Sequence, residues 1–204
     1  MRESGAMLAK VLQSISLTAE VDMTTKDLAN AAKQELRVLG GQPTFLGYQG
    51  FPDVLCVSIN DEIVHGIPSP LKKLNDGDVL SLDFGVTYRG MITDSAVTII
   101  IGTPRPSDKK LVATTRQSLE AAIDVMKNNV KVGDIGYAVA QVLEPAGYGI
   151  VRDLVGHGVG HELHEDPNIP NNGKPHVGQK LLSGMTVAVE PMATLGDYRI
   201  KTDA

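Results

Sequence analysis

The run Val79-Leu-Ser-Leu-Asp-Phe-Gly-Val-Thr-Tyr-Arg-Gly-Met-Ile-Thr-Asp-Ser-Ala-Val-Thr-Ile-Ile-Ile101 constrains the fold more than any other stretch of the chain. Leu80, Leu82, Phe84 and Val86 alternate with Ser81, Asp83 and Gly85, the period-2 pattern of a strand with two unlike faces. A second β-branched run, Ala96 to Ile101, follows a break at Tyr88-Arg89-Gly90, so the two runs predict a β-hairpin. A turn centred between Tyr88 and Arg89 sets Asp83 directly opposite Asp94, on one face and about 5 Å apart at Cβ. Like charges so placed destabilise a sheet. Either a cation sits between them, or the turn lies one residue away and both carboxylates are solvated. The hairpin alone leaves both readings open.

At 204 residues the chain has ample length for a core, and 42% hydrophobic with 21% charged residues is ordinary for a soluble globular protein. A net charge of −5 gives no footprint for nucleic acid or for an anionic membrane. The one cysteine, Cys56, excludes an internal disulfide and any multi-cysteine zinc or iron–sulfur site. The N-terminus lacks the apolar core of a signal peptide, and the apolar run Ala96 to Ile101 is too short to span a bilayer. The expectation is a soluble, cytoplasmic monomer with no direct nucleic-acid or membrane partner.

In chain order, residues 2 to 18 suit a helix, with Met7, Val11 and Ile15 on one stripe. A second begins at Thr24 or Thr25, either of which can cap it, and stops at Gly40-Gly41. Thr44-Phe-Leu-Gly-Tyr-Gln-Gly-Phe-Pro52 gathers two of the three Phe and is read as a pocket wall or a buried corner. Val54 to Ile59 reads as a strand and Pro68 to Asp78 as a loop. Beyond the Gly102 to Pro106 linker, Ser107 is expected to cap a helix to about Asn128, and Ile135 to about Leu143 form another after Val132-Gly-Asp134. Ile150 to Val155, Met185 to Val189 and a segment starting at Arg199 read as strands, and Asn168 to Gly178 as loop. Paired helices before strand runs, once on each side of residue 104, predict an α+β fold with an antiparallel sheet. Two similar halves would form their natural cleft where they meet.

Gly156-His-Gly-Val-Gly-His-Glu-Leu-His-Glu-Asp-Pro167 places three of the five histidines, His157, His161 and His164, within eight positions. The glycines are read as letting the backbone bend around His157 at a strand end. Glu190 closes the apolar strand Met185-Thr-Val-Ala-Val and is stopped by Pro191, as exposed rim or as a cleft acid.

Three segments together resemble the type I methionine aminopeptidases, metallopeptidases of the creatinase-like pita-bread fold. They are Thr44 to Pro52 running on through Cys56-Val-Ser-Ile-Asn60 to His65-Gly-Ile-Pro68; the hairpin, Leu82-Asp-Phe-Gly through Thr93-Asp-Ser; and Gly156-His-Gly-Val-Gly through Leu163-His-Glu-Asp-Pro, followed by Gly184-Met-Thr and Val189-Glu-Pro-Met192. The resemblance implies a pita-bread fold with two pseudo-symmetric halves, about 1–103 and 104–204, and helices packed on a curved, mainly antiparallel sheet. It implies one catalytic domain that removes the N-terminal methionine from nascent chains and from peptides with a small second residue. Two divalent ions are implied, with Asp83 holding one, Asp94 bridging both, and His157 and Glu190 on the other. Carboxylates with an imidazole suit Co, Mn or Fe, with Zn a further option. Glu190 matches the general base, His164 the histidine that stabilises the tetrahedral intermediate, and His65 the one that contacts the substrate backbone. Phe45, Tyr48, Phe51, Cys56 and Leu163 match the pocket for the first side chain. His161 matches no catalytic histidine and is assigned to the surroundings of the site or to the surface. Nascent N-termini are the implied partners, and transient association with the ribosome is left open.

The family's fifth metal ligand, a glutamate on a late strand, has no counterpart here. After Glu190 the sequence offers only Asp197 and Asp203 as acids, neither in the right motif. The expectation is a fragment whose C-terminal strands are missing. It would bind at most one ion tightly and be nearly inactive, while the longer parent is active. Two other readings compete: an Xaa-Pro aminopeptidase-like enzyme, and a non-catalytic pita-bread binding protein.

Overall fold

The computed structural model describes residues 1–202, so Asp203, one of the late acids, lies outside the described residues. The chain divides into two compact units. The first comprises Met1–Asp108 with Gly160–Leu163, and the second Lys109–Val159 with the chain from His164 on.

In the first unit two helices cover one face of a four-stranded antiparallel sheet. Helix α1 (Arg2–Thr18) buries Leu8, Val11, Leu12 and Ile15. Helix α2 (Thr25–Leu39) buries Leu28, Ala32 and Leu36, is capped by Thr24 with Asp27 reciprocating, and ends on Gly40 at φ 79°. Serine and threonine caps followed by an acid three residues on satisfy the orphan amides of a first turn, which is why this start was predictable. The strands are β1 (Gln42–Pro43), β2 (Leu55–Ile59), β3 (Val79–Tyr88) and β4 (Met91–Ile100). Strand β3 lies between β1 and β2, and also pairs β4. Leu80, Leu82, Phe84 and Val86 of β3 enter the core with the helix residues.

The hairpin exists, but its turn is centred between Arg89 and Gly90. Tyr88 pairs Met91, Gly85 pairs Asp94, and Asp83 pairs Ala96. Arg89 and Gly90 have φ of 50° and 75°, the double positive φ of a tight two-residue hairpin turn with glycine in its second place. The expected direct opposition of Asp83 and Asp94 is therefore wrong. Moving the turn by one residue shifts the pairing by two. The aspartates stay on one face as diagonal neighbours, about 7 Å apart, rather than directly opposed. Both are half-buried.

In the second unit, α3 (Pro106–Val125) starts on Pro106, not after a Ser107 cap, and ends before Asn128. Proline suits the first helical position because its missing N–H has no intrahelical partner to lose. Ser107 Oγ instead donates to Asp108 at 3.0 Å. Helix α4 (Val132–Leu143) begins three residues earlier than expected, because Asp134 accepts the Lys131 N–H at 3.0 Å and fixes the first turn. The strands are β5 (Gly149–Ile150), β6 (Gly156–Gly158), β7 (Glu165–Ile169), β8 (Val187–Ala188) and β9 (Ala193–Thr194). Strand β5 pairs β9, and β6 lies between β7 and β8. The expected strand over Ile150 to Val155 stops at Ile150, because its partner β9 is two residues long. Met185 to Val189 likewise shrinks to Val187–Ala188, and the expected loop over Asn168 to Gly178 begins inside β7. No strand starts at Arg199 among the described residues; its guanidinium turns back to Asp197 at 2.7 Å. Every strand pairing is antiparallel.

Candidate active site

In the first unit the sheet face away from the helices carries Asp83 and Asp94, and an aromatic cluster covers the same face. Phe45, Cys56 and Leu163 are buried together, with Tyr48, Phe51 and Ile92 packed against them. Glycines shape this wall. Gly47 and Gly50 have φ of 84° and 85° and bracket a tight turn in which Tyr48 N–H donates to Phe45 O at 3.0 Å and Phe51 N–H to Tyr48 O at 2.9 Å. Residues 45, 48 and 51 are thereby folded back on one another. Gly85 is glycine for a different reason: a Cβ there would meet Phe45 Cε1 at 2.6 Å. The Phe45 ring thus lies over the backbone opposite Asp94. Leu163 comes from the short return segment Gly160–Leu163, held by Ile92 N–H donating to Gly160 O at 2.7 Å. All five expected pocket residues are brought together. Ile92 was missed, although its position two residues before Asp94 already put it on the aspartate face.

Cys56 pairs Asp83 across β2 and β3. Burial, and then the charges of Asp83 and Asp94, push its thiol far above the usual range. It is a neutral, pocket-lining group. His65 is exposed and has φ 60°. Next to it, Gly66 N–H donates to Ser58 Oγ at 3.1 Å and Gly66 O accepts from Val57 N–H at 2.8 Å. A left-handed non-glycine residue clamped beside a strand is a strained position of the kind concentrated at functional sites.

In the second unit His157 sits in the middle of β6, not at a strand end, and is 6% exposed. The pairing of β6 with β7 shifts register between Gly156 and Gly158, the local bend of a bulge at His157, and the two glycines also admit close neighbours. A Cβ on Gly156 would lie 2.3 Å from Ala188 O, and one on Gly158 2.3 Å from Asp166 O. The glycines let β8 and β7 close in on both sides. His157 Nδ1 lies 2.8 Å from Gly158 O. A carbonyl only accepts, so Nδ1 carries a proton, and in the neutral ring Nε2 presents a lone pair. Glu190 Oε1 is 3.1 Å from that Nε2, yet it is buried and makes no hydrogen bond. Two acceptor atoms at that separation fit a shared cation, since ligand atoms about 2.0–2.2 Å from one ion lie roughly 3 Å apart around it. The His164 ring stands edge-on to His157 with centroids 4.3 Å apart. His164 and His161 are both exposed.

The fold and this chemistry define a metallopeptidase. Residues 1–203 match metallopeptidase family M24, and the chain belongs to that family, whose activity depends on divalent metal. It is similar to the methionine aminopeptidase of Clostridium acetobutylicum, at 39% identity over 204 residues, covering 100% of this chain and 82% of the relative. Methionine aminopeptidase 1 of Bacillus subtilis is also 39% identical, over 99% of this chain and 81% of its own length. The crystal structure of methionine aminopeptidase from Thermotoga maritima superposes with a TM-score of 0.97 at 39% identity, covering 100% of this chain and 82% of that one. A prolidase from Pyrococcus furiosus, at 20% identity and a TM-score of 0.79 over 93% of this chain and 53% of its own, shares the fold. The fold is the α+β pita-bread fold of these enzymes. Among the described residues, no helix is long and apolar enough to cross a membrane.

Proposed function

We propose that the chain serves as one catalytic domain of a metal-dependent aminopeptidase that removes the N-terminal methionine from nascent proteins and from peptides with a small second residue. The observation that carries this reading is the buried Glu190 Oε1, without a hydrogen bond and 3.1 Å from the lone pair of His157 Nε2. Family membership and relatives alike over the whole chain support the reaction class.

In this reading Asp83, Asp94, His157 and Glu190 hold two divalent ions of the Co, Mn or Fe type, with Zn a further option. Bound divalent ions polarise a carbonyl and make water a usable nucleophile near neutral pH. Glu190 accepts the water's proton and returns it to the leaving amine. His164 donates to the oxyanion that develops as the scissile carbonyl is attacked. His65 contacts the substrate backbone. Phe45, Tyr48, Phe51, Cys56 and Leu163 enclose the first side chain, an apolar setting suited to a flexible thioether. Sterics there favour a small second residue. The enzyme acts as a cytoplasmic monomer on emerging N-termini, and transient ribosome docking belongs to the same reading.

The full-length protein, supplied with Mn²⁺ or Co²⁺, is expected to release methionine from Met-Gly-type peptides and to leave Xaa-Pro peptides intact. The reverse preference, or no turnover of either, would sink the proposal. Glu190→Gln is expected to lower kcat by about 10²–10⁴-fold.

A further inference from the structure

One buried charge lies beside the pocket residues and has no part in the chemistry above. Asp53 sits between Phe51 and Cys56 and is 7% exposed. Its Oδ1 accepts the Val54 N–H at 2.8 Å, and its Oδ2 receives Lys26 Nζ at 2.6 Å. A carboxylate this deeply buried is tolerated only where both oxygens are bound. Asp53 also marks a changeover in packing. Phe51 packs on the Phe45–Cys56–Leu163 cluster, whereas Val54 belongs to the core beneath the helices. The chain must turn from one layer to the other at Asp53, and the two bonds to its carboxylate fix that turn. One goes to the next backbone amide. The other goes to the first turn of α2, which is itself pinned by the Thr24–Asp27 capping pair and by Ser69 N–H donating to Thr25 Oγ1 at 2.8 Å.

We propose that Lys26, acting through Asp53, is a positioning residue for the pocket: the pair sets how Phe51 and Cys56 pack against Phe45, and so how closely the pocket fits the first side chain. The proposal rests on the pocket assignment above. Lys26 is itself 39% exposed, so as an ion pair it adds little to stability. Its role is geometric.

The test uses the full-length protein and two readouts. Alkylation of Cys56, the one cysteine of the 204-residue sequence, followed at that site by peptide mass, reports the packing of the cluster without any need for turnover. Steady-state kinetics on a Met-Gly-type peptide report the pocket. Lys26→Met keeps the aliphatic stem and removes the charge. It is expected to speed Cys56 alkylation about tenfold, through local opening in the folded protein. It is expected to raise KM roughly three- to tenfold with kcat within about twofold. Lys26→Arg should restore both. Thr24→Ala weakens the start of α2 but spares the pair, and should leave both readouts close to wild type. If Lys26→Met and Thr24→Ala behave alike, with Cys56 labelled only as fast as each variant unfolds, the pair merely stabilises the fold and the proposal is overturned. An unchanged alkylation rate in folded Lys26→Met overturns it as well. Should Lys26→Met fail to fold, Asp53→Asn retains an acceptor for the Val54 N–H, loses the charge, and carries the same expectations. Faster alkylation with an unchanged KM overturns the pocket assignment, and with it the substrate half of the proposal.

Discussion

His157 Nε2 and Glu190 Oε1 lie 3.1 Å apart, and with a neutral imidazole this is an acceptor pair that a shared cation would hold together. A metal that binds only the native state stabilises it by mass action, about 2.7 kcal/mol at a hundredfold excess over Kd. Mn²⁺ or Co²⁺ is therefore expected to raise Tm and a chelator to lower it. His157→Ala should abolish most of that shift, as read by a thermal melt with and without metal. At Gly85 a side chain would press on the Phe45 ring. Gly85→Ala is expected to cost about 1–3 kcal/mol in denaturant unfolding. The candidate metal and catalytic residues stood out in the sequence because carboxylates and histidines are conspicuous on apolar strands. The sequence explained the glycines poorly. The need for Gly85, Gly156 and Gly158 comes from atoms that reach them from other parts of the chain, which no local pattern reveals.

Elements were legible in proportion to their length and to the chemistry of their ends. Helices α1 and α2 were foreseen because seventeen and fifteen residues give a stripe several repeats long, and α2 carries a capping pair and a terminal glycine. Strands β5, β8 and β9, of two residues each, offer no alternation to detect; they exist because neighbours are at hand to pair with. The start of α4 was misplaced because Gly133 looked like a break. Its lack of a side chain instead lets Lys174 O and Val177 O approach to within 2.5 and 2.6 Å of where a Cβ would stand. Asp134 fixes that start. Hydrogen bonds from the His176 and Lys131 backbone amides, in that order, hold its carboxyl below the ordinary value of 3.8. A lowered native pKa means that the unfolded chain takes up the proton first on acidification. The stabilisation is thus fully present above the ordinary value and is lost as pH falls through the native one. Asp134→Asn should flatten the acid limb of a stability-versus-pH profile and leave the neutral region nearly level.

At the scale of the whole molecule, the family was visible from three separated motifs in the right order. What they did not show is that Gly160–Leu163 belongs to the first unit while Val159 and His164 on either side belong to the second. The Ile92 N–H donates to Gly160 O and Leu163 is buried with Phe45 and Cys56, and both contacts join distant parts of the sequence. Leu163→Ala is expected to cost about 2–5 kcal/mol. Although the change lies late in the chain, it should speed hydrogen exchange at the Ile92 amide, measured in the native state. The same segment sets an order of events during synthesis. Phe45, Tyr48, Phe51 and Cys56 leave the ribosome about a hundred residues before Leu163, and contacts so far apart in sequence form late. In the proposed reading, the wall that would grip a client's first side chain stays open on one side until the segment bearing Leu163 has been made.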